Sequence, residues 1–410
     1  MPFYGWAVVV VATLATFCSG PGQSFVFSVF VDPILADTGL SRVYLSTLYA
    51  FGTGVSAIMV VVVARLVDRF GARLMLAGIA FGLGIACFGM SAAAGPIALF
   101  CGFAAMRALG QGSLPVTANI LTAQWFVERR GRAMAVVVLG IAASNALLPP
   151  LTQSLIETFD WRTAYVILGV AIWILLIPAS ILIVRNRPEA VGLYPDGSPE
   201  PVQEPGGEGE RERGSWEAVS SLNFWLLAVP LAAIPFAVTA LVFHQISILG
   251  EQGISATAAA GVFIPFAAAS ASTTAFSGFL IERLGPRQPL YISMALLLTA
   301  VLGLQLVNSP LTAVLYALVL GAGAGFQGVV AGVVWAHYYG RRGLGKVQGP
   351  ATMVMISAAA LAPLPLAALR SFSGDYALGL AVMASVPLVC SVMLYLFDPH
   401  KARREITASG

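Results

Sequence analysis

Twelve apolar runs, each long enough to cross a bilayer, alternate with short polar breaks along the chain. A crossing needs about 20 predominantly apolar residues. The runs lie at 5–31, 42–64, 74–93, 97–124, 133–157 and 163–184, then at 222–248, 256–281, 288–307, 311–337, 349–370 and 376–397. Backbone amides find no water in hydrocarbon, so runs of this length are helices; the short alternating strands of a membrane barrel do not occur in the sequence. The expected fold is an all-α integral membrane protein with twelve transmembrane helices, arranged as two pseudo-symmetric six-helix bundles. We number the runs as spans 1 to 12.

The break between spans 2 and 3 reads ARLVDRFGAR at 64–73, and GFLIERLGPR follows at 278–287. Asp68, Arg69, Gly71 and Arg73 are matched by Glu282, Arg283, Gly285 and Arg287, each pair 214 residues apart (282 − 68 and so on). Two copies at half-chain spacing indicate an internal duplication. A turn between two membrane helices must be short and polar. Glycine permits the reversal, the arginines hold it on one side of the bilayer, and the acid that begins each loop is placed to accept from a neighbouring helix start. These eight residues are the expected conformational loops. Weaker echoes point the same way: WFVERRGRA at 125–133 against YYGRRGLGK at 338–346, and Pro149-Pro150 against Pro363 and Pro365.

The stretch 185–220 breaks the pattern. It is rich in Pro, Gly and Glu and lacks apolar periodicity, which reads as a flexible linker. The expected organisation is an N-terminal bundle at 1–184, a cytoplasmic linker at 185–220, a C-terminal bundle at 221–400 and a cytoplasmic tail at 401–410. The start, MPFYGWAVVVVATLATF, has no basic segment and no clear cleavage site, so it reads as the retained first span.

Composition confirms the class and excludes others. Hydrophobic residues make up 58% of the 410 and charged ones 10%, against about 25% charged in a soluble domain. The net charge of +3 says less than where the charges lie. With the N-terminus inside, 18 of the 22 Lys and Arg fall on the cytoplasmic side: Arg65, Arg69, Arg73, Arg129, Arg130, Arg132, Arg185, Arg187, Arg211, Arg213, Arg283, Arg287, Arg341, Arg342, Lys346, Lys401, Arg403 and Arg404. Only Arg42, Arg162 and Arg370 fall outside, and Arg107 lies within a span. That bias predicts both termini in the cytoplasm. The four cysteines lie in apolar runs without a CxxC pair, and there are three histidines. No disulfide framework, metal centre or cofactor is expected, and no enzyme. ATP-driven transport would need a GxxxxGK[ST] phosphate loop, and none occurs in the sequence.

Taken together, these stretches resemble the major facilitator superfamily of transporters over essentially the whole chain. The duplicated loop is similar to that superfamily's signature loop after the second helix, with Ala64 where the first copy usually has glycine. YGWAVVV near the start, DTGLSR before span 2, WFVERRGRA, DWR at 160–162 and RPEAVGLYPDG after span 6 resemble the oxalate/formate antiporter and monocarboxylate-transporter branch. The resemblance implies that the third helix of each trio faces lipid. Polarity agrees independently: spans 3, 6 and 12 carry no Asp, Glu, Lys, Arg, His, Asn or Gln, although span 9 carries Gln305. Relatives in the branch often carry an arginine in span 8, where this chain has Thr274, and a lysine in span 11, which this chain lacks.

Polar residues inside spans are costly and mark a solute pathway by default. Arg107 stands out, because an arginine at the bilayer centre costs about 3 kcal/mol on insertion scales. Gln111 lies one turn on, and Gly110 and Gly112 admit a neighbouring helix closely. RALGQG looks like the superfamily's fourth-helix signature. Two roles fit Arg107: a fixed charge that draws in an anion, or a tie from span 4 to span 1. Gln23 follows Gly20-Pro21-Gly22, which should break span 1 and turn backbone groups toward a cavity. Asn145, His244 and Gln327 complete the candidate set. For Asn145, helix–helix bonding competes with solute contact; for His244, a carbonyl bond competes with proton relay. Gly321 and Gly325 read as a packing GxxxG.

The expected function is a secondary active or facilitative transporter, symporter or antiporter, of a small monocarboxylate-like anion. Its expected partners are solute, lipid and protons, without nucleic acid, and the expected state is monomeric. A carrier of neutral or zwitterionic drug-like or amino-acid-derived compounds, with Arg107 structural, is the alternative. A non-transporting receptor or sensor is a third class, for which neither linker nor tail offers a signalling domain.

Overall fold

A computed structural model describes residues 3–127, 129–197, 220–339 and 344–398. Most of the expected linker and the whole tail lie outside the described residues, as do Arg211, Arg213, Arg341, Arg342, Lys401, Arg403 and Arg404. The side chains of Asp68, Glu282, Arg130 and Lys346 do too. Eleven described segments are long and apolar enough to cross a membrane, and the 29-residue helix Arg42–Phe70 takes the second place in the series. The chain is thus an all-α, multi-span membrane protein. It divides into two compact units, Met1–Gly207 and Glu208–Gly410.

The sequence dictates where the spans bend. Span 1 is interrupted: the helix Gly5–Cys18 gives way to a tight turn over Gly20–Gly22, and the helix resumes as Ser24–Thr38. Proline lacks an amide hydrogen and glycine has no helical bias, so the ladder stops there. Span 4 changes pitch instead. Pro96–Met106 is α-helical, Arg107–Ser113 widens to a π-helix, and Leu114–Trp125 returns to α. The Ser113 hydroxyl follows the wide turn, donating to the Ala108 carbonyl five residues back (2.6 Å). Span 11 parts at Ala362 into Leu344–Leu361 and Pro363–Ser373, whereas Pro149 and Pro150 sit inside the continuous helix Arg130–Thr158.

The duplicated loops are shorter than the sequence reading placed them. Asp68 and Arg69 belong to the last turn of Arg42–Phe70, and Gly71 alone separates it from Ala72–Ser91. Gly71 has φ +82°, and a Cβ there would run into the Asn186 amide, so glycine is required twice over. In the second copy Phe263–Leu284 ends at Gly285 (φ +72°), and Arg287 opens the next helix.

One hydrogen bond beside each loop is duplicated as well. Arg73 donates to the Ile181 carbonyl at 2.6 Å, and Arg287 donates to the Leu394 carbonyl at 2.6 Å. The acceptors are 213 residues apart (394 − 181), while the donors are 214 apart (287 − 73). Pro96 and Pro310, which open spans 4 and 10, are also 214 apart. The π segment of span 4 holds one extra residue relative to an α-helix of equal rise, and that residue accounts for the slip.

One expectation changes at the start of the linker. Residues 185–197 are packed onto the first unit. The Trp125 indole donates to the Arg185 carbonyl (2.9 Å), the Asn186 Oδ1 accepts from the Arg73 amide (2.9 Å), and Asp196 accepts from the amides of Val127 (2.8 Å) and Arg129 (3.0 Å). Composition hid this, because the segment is fastened by side chain to backbone bonds rather than by an apolar face.

Candidate functional site

Four of the six candidate residues gather at the break of span 1, in the first unit. Gly22 lets span 1 touch span 4: a Cβ there would lie 2.3 Å from the Met106 carbonyl oxygen. Gly110 meets Gly22 from the other side, and a Cβ on Gly20 would collide with Leu148 and Ser144 of span 5. The broken turn is therefore clamped between spans 4 and 5, with Arg107 and Gln111 on one and Asn145 on the other.

Arg107 is only 3% exposed. Its Nε donates to the Thr53 hydroxyl (3.1 Å), and one terminal nitrogen donates to the Gly22 carbonyl (3.1 Å) and reaches the Ser24 hydroxyl (3.5 Å). The guanidinium lies over the Tyr49 ring, 4.5 Å from its centre, and the hydroxyls of Tyr49 and Ser24 are in close contact. Ser56 bonds to the Arg107 carbonyl (2.9 Å). Hydrogen bonds from a charged group contribute about 1.5–3 kcal/mol each, so two of them match the roughly 3 kcal/mol insertion cost. The cation is thus held without solute. Every partner named is neutral, and the three ion pairs among the described residues all involve other arginines.

Those three pairs use the three arginines that the charge count placed on the outer side. Arg42 pairs with Asp32 (2.5 Å), Arg162 with Asp37 (2.7 Å) and Arg370 with Glu251 (2.7 Å). Asp32 lies near the end of the resumed first-span helix Ser24–Thr38, and Arg42 opens the helix that follows.

The other candidates differ in what surrounds them. Gln23 donates to Ser19 (3.2 Å). Gln111 Oε1 and Asn145 Oδ1 are buried acceptors without a hydrogen-bond partner. His244 and Gln327 belong to the second unit and do not meet. His244 is fully buried, with Nε2 on the Pro363 carbonyl (3.0 Å) and Nδ1 on the Tyr376 hydroxyl (3.1 Å). A carbonyl only accepts, so Nε2 carries the proton and Nδ1 accepts from Tyr376. Gln327 reaches the Leu231 carbonyl (3.4 Å), thirteen residues or about 20 Å along span 7 from His244. Gly321 and Gly325 are packing positions: a Cβ on either would collide with span 8, at the Phe266 carbonyl or at Thr273.

The sequence reading missed Tyr49, Thr53 and Ser24. A signal was present. Ser46, Tyr49, Thr53 and Ser56 recur at spacings of three or four along span 2, and all four are buried. That is one polar stripe on one face of an apolar helix.

The five branch-like stretches gather in two groups at opposite ends of the spans. Phe3, Tyr4 and Trp6 pack on Trp125 and Phe126, and a Cβ on Gly197 would press on Phe3. At the opposite ends of the spans, Asp37 meets Arg162, which also donates to the carbonyls of Ser91 and Ala93. Asp160 caps the helix Trp161–Leu182 through the Thr163 amide (2.8 Å) and hydroxyl (2.8 Å). The Thr163 amide bond chiefly, then its hydroxyl, holds the Asp160 carboxyl below its ordinary pKa.

A broken first span, twin loops and a buried cation in span 4 invite comparison with known families. The family model described as Major Facilitator Superfamily matches residues 12–363 and 247–410. The chain belongs to the Major Facilitator Superfamily. It is 29% identical over 191 residues to an MFS-type efflux pump of Mycolicibacterium smegmatis, covering 45% of this chain and 43% of the pump. It is 33% identical over 123 residues to human monocarboxylate transporter 11, covering 29% of this chain and 25% of that one. The matches thus span less than half the length of either curated relative. Among solved structures, it resembles a bacterial homologue of the human lysosomal transporter Spinster. The TM-score is 0.72 at 17% identity, over 99% of this chain and 95% of that one, for an inward-facing, unoccupied form. An occupied inward-facing form gives 0.65 at 18%, over 99% and 92%. At these identities the likeness speaks for the fold.

Proposed function

We propose that this transporter carries a small organic anion with a single carboxylate by alternating access, and that Arg107 supplies the counter-charge. One observation carries the reading: a buried guanidinium whose neutral partners leave its charge uncompensated among the described residues. A carboxylate beside it gains most where water is excluded. Gln23, Gln111 and Asn145 border the same broken turn, and the human monocarboxylate transporter relative adds weight. The charge count supports a multi-pass protein with both ends in the cytoplasm.

A second reading has its own support. The bonds of Arg107 to Gly22 and Thr53 tie three spans together, as a structural arginine would, and the other curated relative is an efflux pump. A carrier of neutral or zwitterionic compounds follows from that.

The test is uptake of labelled acetate, L-lactate and pyruvate into proteoliposomes, beside a melting-temperature panel of these acids and their neutral amides. The acids should raise the melting temperature while the amides do not, and Arg107→Ala should abolish saturable uptake in protein that still elutes as one folded species. Stabilisation by amides and acids alike, or unchanged uptake by Arg107→Ala, removes the anion reading.

A further inference from the structure

Two of the first-unit helices that begin without a side-chain cap of their own are served from elsewhere in the chain. Ala72–Ser91 is preceded by Gly71, which has no side chain, and Arg130–Thr158 is preceded by Arg129, which makes no side-chain cap. The first amides of a helix need acceptors, and a side-chain oxygen normally comes from the residue just before. Here the acceptors come from far along the chain: Asn186 serves the Arg73 amide, and Asp196 serves the amides of Val127 and Arg129 at the approach to the second helix.

Asp196 is shaped for that task. It is the one non-glycine residue with positive φ (+59°) among those described, and it is buried. Aspartate tolerates this left-handed conformation better than most residues, and here the conformation comes with both carboxylate oxygens bonded to amides. The same segment takes the Trp125 indole on the Arg185 carbonyl, and Tyr4 reaches the Ile183 carbonyl (2.5 Å) just before it.

We propose that Asn186 and Asp196 are positioning residues of the transport cycle. The strap 185–197 caps span 3 in trans, pins the turn that enters span 5, and makes the ends of spans 1, 3, 4, 5 and 6 that meet there move as one body. Loss of either tie frees a helix start from the others and changes how the conformers of the transporter are populated, without touching the solute site. The proposal is independent of which solute is carried.

The experiment needs no solute. Exposed Cys101 is replaced by alanine, and spin labels are placed at positions 159 and 372, which are 59% and 86% exposed in the two units. Electron–electron distance distributions are compared for Asn186→Ala, Asn186→Asp, Asp196→Gly and Asp196→Asn, with amide exchange read at Arg73, Val127 and Arg129. Asp196→Gly keeps the backbone conformation and removes both acceptors, whereas the Asn and Asp variants each keep one. The expected result is amide exchange faster by about tenfold at the orphaned groups and conformer ratios shifted by threefold or more in Asn186→Ala and Asp196→Gly, with near-parental behaviour in the conservative pair. Thr163→Ala, which weakens a cap at the other end of the unit, should leave the ratios alone. Parental distributions in all four variants, or unchanged exchange at the three amides, overturn the proposal. Should Asn186→Ala fail to fold, the Gly and Asn variants of Asp196 decide alone.

Discussion

The two units carry the same loops but solve the meeting of their second and fourth helices in opposite ways. At an offset of 214, Tyr49, Thr53 and Arg107 are matched by Phe263, Ala267 and Gly321 (49 + 214, 53 + 214, 107 + 214). The first unit places a cation there and surrounds it with hydroxyls and a ring face. The second has glycine, and span 10 settles directly on the Phe266 carbonyl. Duplication preserved the scaffold and its turns, while three side chains made one copy polar and the other close-packed. Within a repeat, what differs between copies is therefore the better guide to chemistry than what is shared.

The comparison breaks most severely in the second unit. Gly321→Leu would drive a side chain into the span 8 backbone. With overpacking costs of about 1–3 kcal/mol or more, recovery of monodisperse protein by size exclusion should fall severalfold. Next in size is removal of the slip in span 4. Deleting Leu109 closes the wide turn to an α-helix of equal rise and leaves Leu114–Trp125 in its register. Trp125 should then keep the Arg185 carbonyl and its indole emission, while Gly110 leaves its place against Gly22 and the melting temperature falls. A red-shifted indole emission in the deletion variant would show that the wide turn is not what absorbs the extra residue.

A gentler change makes the first unit resemble the second. Tyr49→Phe, Thr53→Ala and Arg107→Gly together install residues already tolerated at the matched positions, so the fold should survive while saturable carboxylate uptake disappears. Tyr49→Phe alone keeps the ring under the guanidinium and loses only the hydroxyl contact with Ser24. Its uptake should drop by about threefold or less, in line with a neutral hydrogen bond of about 0.5–1.5 kcal/mol. The smallest effect concerns Asp160. Its carboxyl is depressed in the folded state, so its contribution is complete above the unfolded value of about 3.9 and disappears as pH falls through the lower folded value. Being exposed, it should shift the acid end of the melting curve only slightly, and Asp160→Asn should flatten that end.

The architecture was legible because a bilayer leaves few choices. Length and apolarity fixed the helices, and the twin charged turns revealed the repeat. The break at Gly20–Gly22 was also readable, since proline and glycine act locally. The wide turn of span 4 was not, because nothing local in RALGQGS separates a π-helix from an α-helix; it emerges only from the one-residue mismatch between copies. The partners of Arg107 were hidden in an unremarked hydroxyl stripe. His244 was seen as a candidate, yet its bonds to Pro363 and Tyr376 depend on three spans that only folding brings together.

The strap also bears on how the protein can be cut. A gene split where the sixth apolar run ends, at 184, would deprive the first fragment of Asn186 and Asp196 and strand three amides at its edge. A split placed after Gly207, where the first compact unit ends, keeps that edge sealed. Fragment complementation between independently made halves should therefore succeed with the longer piece and fail with the shorter one.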